Sequence, residues 1–143
     1  MEQLDIFTQG VEYHYRPPLY FDRPVRLFEA FAGIGCQAMA FKRLGIPYEH
    51  IGISEIDKYA IKSYEAIHDI AINYGDIKLM AEIPPCDVFT WSFPCTDLSK
   101  AGKRAGMSEE TRSGLVYEVL RLLKDTPTKP LCLIMENVPD LVQ

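Results

Sequence analysis

Cys95 follows Pro94 where the apolar run "CDVFTWSF" (Cys86 to Phe93) gives way to the polar "TDLSKAG". A free cysteine is usually a small buried hydrophobe. At the carboxyl end of a strand, where α/β proteins bind ligands, it is instead a candidate nucleophile. Carboxylates occupy comparable positions: Glu55 after "HIGIS", Asp76 in "GDI" and Glu136 in "MEN". Such groups hold ribose hydroxyls or act as general acids. A fifth position is the turn "FAGIG" (Phe31 to Gly35), whose glycines let a backbone approach a ligand closely. Taken singly, each has a plainer reading. A Gly-rich turn also serves tight packing, and Glu55 also suits a solvated helix start.

These residues are positioned by an alternation of elements. "VRLFEAF" (25–31), "HIGISEI" (50–56), a short stretch near "AINYG", "CDVFTWS" (86–92) and "PLCLIMEN" (130–137) read as five strands. Between them, "CQAMAFKRLG" has helical spacing and Gly45 suits its C-cap. "DKYAIKSYEAIH" follows with Asp57 as N-cap, and "SGLVYEVLRLLKD" sets Leu115, Val119, Leu122 and Leu123 on one side. Alternating strand and helix predicts βαβ units: an α/β, Rossmann-like doubly wound sheet, mostly parallel, ending after about five strands. All five chemistry-bearing segments then lie at strand carboxyl ends, on one rim.

The 143 residues suffice for one domain with a real core. Residues 1–24, aromatic and proline-rich, read as an irregular arm, with residues 25–143 forming the folded unit. Packing of Tyr13, Tyr15, Tyr20 and Phe21 on the domain or a partner is favoured over base stacking. The formal net charge of −5 argues against strong nonspecific binding to nucleic acid by the chain as a whole. The four cysteines, Cys36, Cys86, Cys95 and Cys132, form no Cys-x-x-Cys pair and no metal-ligand spacing with histidine, so neither a metal site nor a disulfide framework is expected. Cys36 and Cys132 fall in hydrophobic segments. His14, His50 and His68 read as lying in the arm or before a helix, away from Cys95. No apolar run approaches the roughly 20 residues of a membrane span, and no signal peptide is evident. A cytoplasmic setting is expected.

In order and spacing, "FAGIG", "SEID", "GDI", "FPCTDLS", "RSGL" and "MENV" resemble the signature blocks of the cytosine-5 DNA methyltransferases, over roughly Leu27 to Val142. The resemblance implies S-adenosylmethionine as cofactor. Phe31 would pack on the adenine, Gly33 and Gly35 would admit the methionine portion with Ala32 also at the cofactor, Glu55 would take the ribose hydroxyls and Ile56 would lie on the adenine. Asp76 would accept from the adenine amino group with Ile77 alongside, and Leu115 would line the pocket. It implies further that Cys95, held by Pro94, adds to carbon 6 of a flipped cytosine. Glu136 would contact ring nitrogen 3 and the exocyclic amine. Ser99, Lys103, Arg104, Arg112 and Asn137 would meet the substrate.

The chain departs from the family pattern at Cys36, where a second glycine is usual. It departs again at Trp91-Ser92, which would crowd the floor beneath the nucleophile, and at Thr96 in place of glutamine. The Gln-x-Arg-x-Arg block and the target-recognition region of the family do not follow "ENV". Partners expected from the resemblance are DNA and either a second polypeptide carrying those parts or another copy of the chain, with no membrane and no metal. A tRNA substrate, a cysteine hydrolase or acyltransferase, and a catalytically inactive cofactor-binding module are the competing readings. For the DNA methyltransferase reading, the resemblance implies a restriction-modification setting.

Overall fold

The structure is a computed structural model that describes residues 21–68, 72–94 and 113–137. Four strands, β1 (Val25–Ala30), β2 (Tyr48–Ser54), β3 (Val88–Trp91) and β4 (Cys132–Met135), form one parallel sheet in the order β2-β1-β3-β4. Three helices accompany them: α1 (Cys36–Arg43), α2 (Lys58–Ile67) and α3 (Val116–Asp125).

The central strand β1 shows why both faces are covered. Its side chains alternate. Phe28 and Ala30 join Phe89, Trp91, Val119 and Leu122 in a core under α3. Val25 and Leu27 pack with Ala38 of α1 on the opposite face. Tyr64 of α2 packs there too, with Ala32 and Ile53. This is the doubly wound arrangement that the alternation of elements predicts. The chain first runs outward from β1 to β2, then returns to place β3 on the other side of β1. That reversal opens the crevice in which such sheets bind ligands.

The local signals for the helices act as their residues suggest. Gly45, at φ 66°, ends α1, with Gly45 N–H donating to Lys42 O and Ile46 N–H to Phe41 O. That pairing is the Schellman arrangement. Asp57 caps α2, its Oδ1 accepting from Tyr59 N–H (2.7 Å) and Ala60 N–H (3.0 Å), which holds its carboxyl below the usual carboxylate range. Val119 and Leu122 are the fully buried residues of α3, flanked by half-buried Leu115 and Leu123.

Three expectations are corrected. The strand near "AINYG" is a single bridge, Ile53 to Asn73. Ile53 N–H bonds Ile72 O and Tyr74 N–H bonds Ile53 O, but at the next position the Asn73 side chain takes over. It accepts from Glu55 N–H (3.2 Å) and Gly75 N–H (2.9 Å) and donates to Glu55 O (3.0 Å), so the ladder stops. Cys36, read as part of a hydrophobic segment, is exposed at the first position of α1. His50 lies within β2 and His68 follows the last turn of α2, so neither precedes a helix.

At the amino ends of the strands, Asp87 is 2% exposed and its acceptor positions are taken. It receives Arg23 through two bonds (2.6 and 2.9 Å), Arg26 N–H (2.9 Å) and the Arg26 guanidinium (3.1 Å). The Arg23 bonds foremost hold its carboxyl well below the usual range. Among the described residues, β4 pairs only with β3, and Leu133, Ile134 and Met135 are exposed on both its faces. No helix among the described residues is long and apolar enough to cross a membrane.

Candidate active site

The carboxyl end of β1 runs into a turn that an ordinary sequence resists. Phe31 has φ 52°, Gly33 56° and Gly35 78°. For Phe31 this left-handed conformation is strained, and it persists because its surroundings hold it. Gly35 is required for a second reason: a Cβ there would sit 2.3 Å from His68 Nε2 and 2.7 Å from the Tyr64 ring. At Gly33, by contrast, nothing among the described residues lies within 4 Å of where a Cβ would stand. Among those residues, space is therefore open at Gly33 while packed rings meet Gly35.

Glu55, at the end of β2, joins this turn to α2. Its Oε2 accepts from Gly33 N–H (2.9 Å), and its Oε1 accepts from Ile56 N–H (2.8 Å) and Asp57 N–H (2.9 Å). The half-buried carboxylate thus collects three backbone donors and orders the rim. Ile56 beside it is 70% exposed. Asp76 is half-buried, with Oδ1 accepting from Lys78 N–H (3.0 Å). Ile77 after it is buried with Met80 and Ile83 in the core under α3, which anchors Asp76 at the rim. Phe31 and Leu115 are partly buried against that same core, and Ala32 is buried with Ile53 and Tyr64.

On the other side of the switch point, β3 leads through buried Phe93 to half-buried Pro94. The end of β4 follows it closely: Glu136 N–H donates to Trp91 O (3.1 Å), and Asn137 Nδ2 donates to Phe93 O (2.9 Å). The Glu136 side chain is exposed. Trp91 is turned into the core, its ring 4.9 Å from Phe89, so its bulk falls under α3. Its indole nitrogen is buried and has no hydrogen-bond partner among the described residues. Cys95, Ser99, Lys103, Arg104 and Arg112 lie outside the described residues, as do Thr96, Tyr13, Tyr15 and Tyr20. Phe21 packs against the core beside α1.

Two groups near the rim escaped sequence reasoning. Asn73 staples the end of β2, as described. Glu29, in the middle of β1, is fully buried and bonded to Tyr64 and the first turns of α1. Its signal was legible: a lone carboxylate inside "LFEAF" must find partners if the strand is central.

The order along the chain of glycine turn, strand-end acids and Pro-Cys segment agrees with a family comparison. A profile described as C-5 cytosine-specific DNA methylase matches residues 25–143. The chain belongs to this family. It is 39% identical to the orphan methyltransferase M.Rho11sI of Bacillus phage rho11s, over 82% of this chain and 24% of that protein. It is 31% identical to the type II methyltransferase M2.ScrFI of Lactococcus lactis subsp. cremoris, over 82% of this chain and 48% of that one. The chain thus spans from about a quarter to about half the length of these curated relatives. In fold it is similar to the S. pombe Dnmt2 methyltransferase, with TM-score 0.67 and 20% identity over 83% of this chain and 36% of that one. The Entamoeba histolytica methyltransferase EhMeth is likewise similar, with TM-score 0.68, 20% identity, and 83% and 39% coverage.

Proposed function

We propose that the chain is the cofactor-binding and nucleophile-bearing part of a DNA (cytosine-5)-methyltransferase. The observation that carries this reading is the hydrogen bond from Asn137 to Phe93 O (2.9 Å). It ties the Glu136-Asn137 end of β4 to the segment just before Pro94, which supports the reading that the Glu136 carboxyl group and the thiol next in sequence act on one base.

The donor set on the opposite side fits S-adenosylmethionine. The open space at Gly33, the Glu55 and Asp76 carboxylates and the exposed Ile56 suit a nucleoside with hydroxyls, an amino group and an apolar ring face. When bound, the cofactor supplies an electrophilic methyl group. Phe31, Ala32, Gly33, Gly35, Glu55, Ile56, Asp76, Ile77 and Leu115 would hold it, with Glu55 and Asp76 fixing its polar atoms. Cytosine is a poor carbon nucleophile. The Cys95 thiolate would add to carbon 6 and make carbon 5 electron-rich, with Pro94 restricting the backbone before it. Glu136 would hold the proton at ring nitrogen 3 as charge develops there. After transfer, loss of the carbon 5 proton and departure of the thiolate restore the ring. The base must leave the helix to reach both groups, and Ser99, Lys103, Arg104, Arg112 and Asn137 are assigned to the substrate side.

A polypeptide carrying the remaining family blocks, or a second copy of the chain, would complete the sheet beside β4. Residues 1–143, which span from about a quarter to about half of these relatives, are proposed not to methylate without those parts, in a cytoplasmic setting. The test is adduct formation on DNA carrying 5-fluorocytosine, with S-adenosylmethionine and the carboxyl-terminal portion of a phage relative supplied. Wild type is expected to give a stable adduct and Cys95→Ser none. An adduct that persists in Cys95→Ser, or that maps to the exposed Cys36, overturns the assignment.

A further inference from the structure

Below the turn "FAGIG" lies a polar cluster that the proposed chemistry does not use. Glu29 is 0% exposed; its Oε2 accepts from the Tyr64 hydroxyl (2.7 Å) and its Oε1 from Ala38 N–H (3.2 Å). His50 Nε2 is 3.0 Å from the Tyr64 oxygen and 3.5 Å from Glu29 Oε2. Because the Tyr64 hydroxyl gives its hydrogen to Glu29, its oxygen is free to accept from His50 Nε2–H. Burial and the neighbouring Glu29 push the Tyr64 hydroxyl far above its ordinary pKa, so it remains a donor. His68 closes the cluster, its ring 4.5 Å from Tyr64 and 5.6 Å from His50.

His68 also touches the turn. Its Nε2 lies 3.1 Å from Ile34 O. A carbonyl only accepts, so that nitrogen carries the hydrogen. Gly35 rests directly on the His68 and Tyr64 rings. The cluster therefore grips the one stretch of the rim where three residues in five hold positive φ. Apolar side chains would fill the same volume but would leave the Ile34 carbonyl without its partner.

We infer that Glu29, Tyr64, His50 and His68 form a positioning network for cofactor binding, with His68 as the residue that sets the turn. By holding Ile34 O, His68 orients the peptide units on either side and keeps the Gly33 and Gly35 backbone in the shape that receives the ligand. Tyr64, Glu29 and His50 hold the His68 ring from behind. Ligand contact is not their role, since Glu29, Tyr64 and His68 are all buried. The inference rests on the proposal that this turn receives S-adenosylmethionine.

The test uses the full 143-residue chain, with S-adenosylhomocysteine as the calorimetric probe and amide NMR signals of Gly33 and Gly35 as a ligand-free readout. His68→Phe keeps a ring but loses the donor. It is expected to weaken binding about tenfold, as loss of one well-placed hydrogen bond would, and to shift both glycine signals while amides of α3 stay in place. His68→Gln, which restores a donor, is expected to recover most of the affinity. If His68→Phe does not fold, Tyr64→Phe replaces it, with an expected loss of about threefold. Wild-type affinity and unmoved glycine signals in the ring variant, or no recovery with glutamine, overturn the inference and leave the proposed function standing. Absence of binding by the wild type overturns the proposed function, and this inference with it.

Discussion

The two ends of the sheet each carry an acid between neighbouring strands, and the acids live differently. At the amino ends, Asp87 is buried and spends its oxygens on two arginines and a backbone N–H. It locks the start of β1 to the start of β3, and its own carbonyl accepts from Leu131 and Cys132 N–H at the start of β4. At the carboxyl ends, Glu55 and Asp76 are only half-buried and Glu136 is exposed. The bonds of Glu55 and Asp76 go to nearby backbone, beside the open space at Gly33 and an exposed Ile56. One end is saturated and holds strands together. The other is ordered but still open to a ligand.

That contrast is broken most severely at Gly35, where the open rim meets the packed interior. Gly35→Ala places a Cβ against His68 and Tyr64 at a φ that resists it. It should cost about 3 kcal/mol in urea unfolding, from left-handed strain plus overpacking, and should abolish cofactor binding as well. Retention of both would show that the turn is slack. Asp87→Ala should cost about 2 kcal/mol, between the buried and exposed limits for an ion pair, because both arginines keep contact with water. Cofactor affinity of the folded protein should stay unchanged.

The same residue fixes a pH dependence. Its carboxyl is depressed in the fold, so its stabilisation is fully present above the unfolded-state pKa of about 4 and is lost as pH falls toward the folded value. Wild-type stability should decline in acid more steeply than that of Asp87→Ala, and parallel curves would remove Asp87 as the cause.

At the open end, Glu55→Gln should show the reverse of Asp87→Ala. It should weaken S-adenosylhomocysteine about tenfold in calorimetry while costing about 1 kcal/mol of stability. The smallest effect concerns thiols. Burial, with Asp87 adjoining, pushes Cys86 up to about 12, whereas Cys36 is exposed. Iodoacetamide at neutral pH should therefore modify Cys36 and spare Cys86 in the native chain. Rapid labelling of Cys86 would mean that the saturated end opens.

Residue types and spacing alone determined the alternation of strand and helix apart from the third strand, the helix caps at Asp57 and Gly45 and the apolar face of α3, and the short blocks in order carried the family resemblance. Each of these is a local signal, read within a few residues or as a short block in order. The tertiary structure decided what depends on partners far apart in sequence. Asn73, 18 residues from Glu55, cut the expected third strand to one bridge by taking its ladder bonds. Tyr64, 35 residues from Glu29, made an acid in a central strand tolerable. His50 and His68 became a support for the turn only when α2 packed across the face of β1. A local pattern states what a segment prefers, but a buried polar group is satisfied only by what the fold brings to it, and that pairing is not written in spacing.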